Sequence, residues 1–242
     1  HYQDSIAVSG THGKTTTTGM LTQLFIQAGK DPSAIIGGKL PFIGSNGRAG
    51  KSDIMICEAC EYVDTFLKLS PAISIILNID ADHLEYFGSL ENIIKSFHQF
   101  SNQTGKVLIV NGDDENVKKA IKGIQGVKII TFGMGADNDY SAANIKEEPN
   151  VFEDFTLMKQ GAPLTDIRLS VPGKHNIMNA LAAAATADYF GISGNDIAKG
   201  LHDFTGVHRR FERLGTFHDI VVADDFAHHP TELNATLTAY GL

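Results

Sequence analysis

Basic residues are in short supply in this sequence: Lys plus Arg number 20 against 28 Asp plus Glu, a formal charge of -8. That sign excludes a protein held to nucleic acid by its overall field, so any anionic ligand has to be gripped by local devices. Cysteine is scarcer still. Cys57 and Cys60 alone cannot build a disulfide framework, and they suit a reducing compartment. Long apolar runs are also missing, since stretches such as residues 180–187 fall well short of the roughly 20 residues that a membrane span needs. The first residues, His1-Tyr2-Gln3-Asp4, are polar and run straight into an apolar strand, unlike a secretory leader. A cytoplasmic protein is the expectation. Because the chain starts with His rather than Met, an excised piece of a longer protein is expected as well.

What is present is an ordinary globular balance, 43% hydrophobic and 20% charged over 242 residues, enough for one large or two modest domains. Short apolar runs at 5–9, 53–57, 73–77, 107–110 and 128–132 alternate with helical patterns at about 15–28 and 115–122, the second preceded by Asn111-Gly112-Asp113-Asp114 as a turn and N-cap. This predicts an α/β fold, a doubly wound and mostly parallel sheet with helices on both faces. From 140 to 171 the pattern changes to alternating segments, 152–158 and 164–171, around a Gly161-Ala162-Pro163 turn. A small antiparallel hairpin or edge subdomain is expected there. An Ala-rich helix is expected over 176–189, stopped by Gly191, followed by a shorter one over 196–201. A last strand at 219–223 then opens a strand-helix unit with 230–240, which places a soft domain boundary near Leu214 and divides the chain into 1–214 and 215–242.

The strongest local signal follows the first strand, where Gly10-Thr11-His12-Gly13-Lys14-Thr15-Thr16 leads into a helix. Glycines let backbone N–H groups approach phosphate oxygens, the helix start adds partial positive charge, a Lys reaches terminal phosphates and a hydroxyl suits Mg2+. The general P-loop would have a glycine where Val8 stands, so that pattern is met only in part.

In an open α/β sheet, ligands bind beyond the carboxyl ends of the strands. Two such ends carry chemistry, Glu58-Ala59-Cys60-Glu61 and Asn78-Ile79-Asp80-Ala81-Asp82-His83. A Glu with a Thr hydroxyl beside phosphates suits Mg2+, which prefers oxygen. On residues alone His83 suits a metal ligand and a satisfied loop histidine about equally. The C-x-x-C of Cys57 and Cys60 lacks the second pair that a structural zinc site would need, and two small side chains flanking a functional Glu fit better. Further on, Asn176 and Asn179 lie three apart in Pro172-Gly173-Lys174-His175-Asn176-Ile177-Met178-Asn179. Their amides can read a base edge, or Asn176 can cap the helix. Arg210 suits a transferring phosphoryl group and Asp225 ribose hydroxyls, against a solvated basic pair and a helix start.

These segments, Gly-Thr-His-Gly-Lys-Thr-Thr-Thr, the two strand ends, the Pro-Gly-x-His-Asn run, 206–212 and 224–232, resemble in order those of the Mur ligases. The stretches 58–71 and 78–87 resemble the alanine-adding branch. The resemblance implies ATP-dependent formation of an amide through an acyl phosphate, with UDP-N-acetylmuramate and L-alanine as substrates and ATP and Mg2+ required. It implies that 10–16 bind phosphates, that Thr15, Glu58 and His83 hold metal, and that His175, Asn176 and Asn179 lie at the adenine side. Lys14 and Arg210 would face the γ-phosphate, Asp225 the ribose, and His228 and His229 the amino-acid side. Phe226 stands where a Tyr is commoner. Some members carry a carbamylated lysine where this chain has His98, with Lys95 nearest, which argues against that modification here. The resemblance covers a central ATP-binding domain and the start of a third.

Three rivals remain open at this point: a murein-tripeptide recycling or folylpolyglutamate-type ligase, a GTPase-type switch, and a nucleotide-binding module without catalysis. The second would carry a guanine-reading Asn-Lys-x-Asp, and no Asn-Lys pair occurs.

Overall fold

The computed structural model describes residues 2–146, 153–208, 212–218, 220–227, 233 and 237. β-Branched and other apolar residues set the strands, and their alternation sends side chains to both faces of one sheet. In β1 (Asp4–Ser9), Ile6 and Val8 join one core and Ala7 the other. The same parity holds in β5 (Ile73–Ile76) and β6 (Val107–Asn111), where Ile73, Ile75, Val107 and Ile109 face the first core and Ile76, Leu108 and Val110 the second. Both faces are therefore covered, as a parallel sheet requires.

The first face carries α1 (Lys14–Gln27), α5 (Lys174–Tyr189) and α6 (Gly194–His202), the second α3 (Leu90–Asn102) and α4 (Glu115–Ile121). The remaining elements are β2 (Ser33–Leu40), β3 (Ser45–Arg48), β4 (Ile54–Glu58), a one-turn α2 (Leu84–Phe87), β7 (Lys128–Gly133), β8 (Tyr140–Lys146), β9 (Asp154–Lys159) and β10 (Ala162–Arg168). The strand order is β10-β9-β8-β7-β6-β5-β1-β4-β2-β3. From β2 to β8 all neighbouring pairs are parallel, while β3, β9 and β10 run antiparallel at the two edges. β1 is the centre of the winding: the chain builds β4 on one side of it and β5 on the other, which opens the ligand crevice expected at such a reversal.

Helices α1 and α5 are buried nearly all round, including an unbroken run of fully buried alanines at 182–185. Close approach on this face depends on glycine: a Cβ on Gly19 would sit 2.8 Å from Val207 Cγ2, and one on Gly200 2.9 Å from Leu24 Cγ. Fully buried Phe25, Leu21 and Leu24 anchor the layer, each contributing about 1.5–3 kcal/mol by burial.

The expected doubly wound sheet and the antiparallel hairpin are both present, the hairpin as the edge of the main sheet. Its turn is Gln160-Gly161, both at positive φ (50° and 76°), and Ala162 and Pro163 belong to β10 rather than to the turn. Asn176 does not cap α5; the helix starts at Lys174 with Gly173 at the N-cap. The Asp114 cap of α4 is made as expected, accepting from the amides of Asn116 and Val117. β2, β3 and α3 were not anticipated. The strand expected at 219–223 is β12 (Ile220–Asp224), which pairs antiparallel with β11 (Glu212–Phe217) in a separate two-stranded sheet, so that β11 runs through Leu214.

Candidate functional site

At the carboxyl end of β1 the backbone turns through Gly10 (φ 134°) and Gly13 (φ 85°), conformations that a side chain would strain, and enters α1 at Lys14. The loop is clamped from the end of β5. Thr11 N–H donates to Asn78 O at 3.1 Å and His12 N–H to Asn78 Oδ1 at 2.8 Å, while Asn78 Nδ2 donates back to His12 O at 3.1 Å. Thr11 Oγ1 accepts from Asp80 N–H at 2.9 Å, and His12 Nε2 lies 3.8 Å from Asp80 Oδ2. Two strand ends thus hold one loop in register, with the start of α1 behind it supplying helix-terminal N–H groups.

Lys14 folds back into this loop. Its Nζ donates to Gly10 O at 2.6 Å and Thr11 O at 3.1 Å, and meets both carboxylate oxygens of Glu61 at 3.0 and 3.1 Å. Glu61 is only 2% exposed. At the next residue, Thr15 Oγ1 donates to Glu58 Oε2 at 2.9 Å, and Gly37 N–H of β2 reaches the same oxygen at 2.9 Å. β2 comes so close that a Cβ on Gly37 would sit 2.4 Å from Glu58 Oε2. Thr16 lies on the half-buried face of the same turn.

Asn176 and Asn179 are buried on the first turns of α5 and bond to each other at 3.0 Å. Asn176 Nδ2 donates to Pro172 O at 2.7 Å, and Asn179 Oδ1 accepts from Thr17 Oγ1 at 3.2 Å, tying α5 to α1. His175 is exposed beside them. His83 has a left-handed backbone (φ 53°) and lies with its ring centroid 4.6 Å from that of Tyr62, near Asp82 at 3.8 Å and Glu85 at 3.6 Å. Among the described residues no group of three or more His, Cys, Asp or Glu side chains is gathered as a metal site. Thr15 and Glu58 place two oxygen-bearing side chains side by side at this end of the sheet. His98 sits on α3 with Nδ1 2.8 Å from Ala120 O, in the packing of α3 on α4.

Asp225 follows β12, its Oδ1 accepting from Ala227 N–H at 3.1 Å. Arg210, His228 and His229 lie outside the described residues. Burial pushes the Cys57 thiol up to about 11, helped by the charge of Glu58, and burial likewise raises Cys60. Sequence reasoning missed the partnership of Glu61 with Lys14 and the role of Gly37. The first was signalled by a carboxylate three residues past Glu58, the second by the Gly37-Gly38 pair.

The span that matches a known family takes in the glycine loop ahead of α1, the Thr15–Glu58 pair at the next strand end and the asparagine pair behind them. Residues 8–187 match the Mur ligase middle domain, and the chain belongs to that family. Two curated relatives are UDP-N-acetylmuramate--L-alanine ligases, from Acetivibrio thermocellus at 46% identity over 98% of this chain and 51% of the relative, and from Agathobacter rectalis at 44% over 99% and 52%. The chain spans about half the length of the curated relatives it matches. Among solved structures, the UDP-N-acetylmuramate-alanine ligase of Thermotoga maritima superposes with a TM-score of 0.84 at 30% identity, covering 98% of this chain and 53% of that one. A murein peptide ligase from Psychrobacter arcticus gives 0.77 at 26%, covering 98% and 54%.

Proposed function

We propose that the chain is the ATP-binding core of a ligase that joins L-alanine to UDP-N-acetylmuramate. The carboxylate of the sugar nucleotide is activated as an acyl phosphate, and the L-alanine amine then displaces the phosphate. The observation that carries this reading is the pair of side chains on the first turn of α1: Lys14 inside a clamped glycine loop and Thr15 on Glu58. Relatives bearing that ligase name supply the substrates.

Residues 10–16 would wrap the phosphates, with Lys14 and Arg210 opposing the charge of the transferring group. Oxygen donors at hydrogen-bond distance are the set that Mg2+ takes, so Thr15 and Glu58 fit the ion, with His83 assigned as a further ligand by resemblance. When bound, Mg2+ neutralises phosphate charge. His175, Asn176 and Asn179 would border the adenine, Asp225 the ribose, and His228 and His229 the amino acid. The buried asparagines would act there through the wall they form with Thr17. Residues 1–214 would form the central domain and 215–242 the start of the next, in a cytoplasmic enzyme.

The test is phosphate release by the full-length protein with Mg2+, ATP and UDP-N-acetylmuramate, given L-alanine or the tripeptide L-Ala-γ-D-Glu-meso-diaminopimelate separately. Release that needs L-alanine supports the proposal. Release only with the tripeptide moves the protein to the recycling branch, and release with neither overturns both. The Lys14→Ala protein is expected to fold and form no ADP.

A further inference from the structure

Lys14 has three N–H bonds to give, and three neighbours already take them: Gly10 O, Thr11 O and the Glu61 carboxylate. The ammonium and the carboxylate are both largely withdrawn from water, with side chains 13% and 3% exposed. A lysine in that state has nothing left for a phosphate oxygen. To serve a nucleotide it has to leave at least one partner, and Glu61 is the one whose charge competes directly with phosphate. Glu61 then stays behind as a buried anion close to the incoming anion.

We infer that Glu61 is a positioning residue that holds Lys14 in the loop and surrenders it when a nucleoside polyphosphate arrives, so that Glu61 sets how tightly the terminal phosphates are held. The inference rests on the phosphate-loop assignment above. Neighbouring charges do not duplicate the role: the Glu58 carboxylate is engaged with Thr15 and Gly37, and Asp80 lies by His12. The fold places Glu61 for this task, because β4 ends at Glu58 and the chain turns at once, so that Glu61 stands at the start of a 3-10 segment over Tyr62–Lys68 and is brought back beneath the loop.

The consequence has a sign that damage to the fold cannot imitate. Removing the Glu61 charge takes away both the competitor for Lys14 and the repulsion left after the exchange. The Glu61→Gln variant of the full-length protein is expected to bind ATP about tenfold more tightly than wild type, with AMP affinity unchanged, since AMP does not reach Lys14 with terminal phosphates. In turnover the variant is expected to show a lower KM for ATP together with a lower kcat, because ADP leaves more slowly. Glu61→Asp, which keeps the charge, is expected to stay near wild type in ATP affinity.

Titration calorimetry with ATP and AMP on wild type and both variants decides it. Tighter ATP binding by Glu61→Gln alone supports the inference. Unchanged ATP affinity in that variant overturns it, and so does a parallel weakening toward ATP and AMP, which would make Glu61 structural only. Failure of the wild-type protein itself to bind ATP would instead overturn the phosphate-loop assignment.

Discussion

Gly13 and Asn179 contend for one small volume: a Cβ on Gly13 would lie 2.4 Å from Asn179 Oδ1. The asparagine comes from α5, far along the chain, and it is held there by Asn176 and Thr17. The curvature of the glycine loop is thus fixed from behind by a distant helix as well as from the side by Asn78.

Replacing Gly13 by Ala is expected to cost about 2 kcal/mol or more, from the positive φ and the collision together. Adding Asn179→Ser should recover the part due to collision and leave the part due to φ. Denaturant unfolding of the two single variants and the double variant checks this coupling.

Gly37→Ala drives a methyl against the oxygen that Thr15 and Gly37 N–H both address. Turnover is expected to need several-fold more Mg2+, with saturating activity less affected. Gly47→Ala is the comparison, since its Cβ would meet nothing closer than Ala34 O at 3.4 Å. Activity against Mg2+ concentration separates the two, and equal curves would remove Gly37 from the site.

Burial opposes the charged form of Asp113, but donors on Asn138 and the backbone of Gly135 and Met134 outweigh it and hold this carboxyl below its ordinary range. A lowered folded value means stability that is present above the unfolded value and is lost as pH falls through the folded one. Asp113→Asn is therefore expected to lower the melting temperature at pH 7, with the gap from wild type closing below about pH 4. Melting curves across that range test it.

Thiol chemistry should be slow at both cysteines near neutral pH, since burial raises both and takes Cys57 to about 11. Cys60 as a whole keeps more of its surface in water than Cys57. Maleimide labelling followed by mass spectrometry is expected to mark Cys60 first, and Mg-ATP to slow that reaction because Glu58 and Glu61 flank it. Faster labelling at Cys57 would contradict the burial described.

Where periodicity and glycine chemistry agree, the sequence was readable: the loop from Gly10 to Thr16, the Asp114 cap and the Ala-rich helix all stand where local pattern placed them. β2 was hidden because Gly37-Gly38 interrupts its apolar run and resembles a turn, although those glycines are there to let β2 approach Glu58, Thr15 and Val207. The asparagines were identified as a pair, but their bond to Thr17 depends on α1 and α5 packing side by side, which no local pattern encodes. Glu61 was missed for a similar reason. Its meaning comes from Lys14, forty-seven positions earlier, across a strand pairing.

The fully buried alanines of α5 have a bearing on how this sequence can drift. Four successive alanines span the whole circumference of a helix that packs on α1 and on β6, β7 and β8, so an added methylene there would meet one neighbour or another and disturb the helix that carries Asn179. The tolerance of the glycine loop is thus written into residues that carry no polar side chain. Selection for nucleotide handling would leave its record there as an intolerance of volume, in positions a survey of polar groups would pass over.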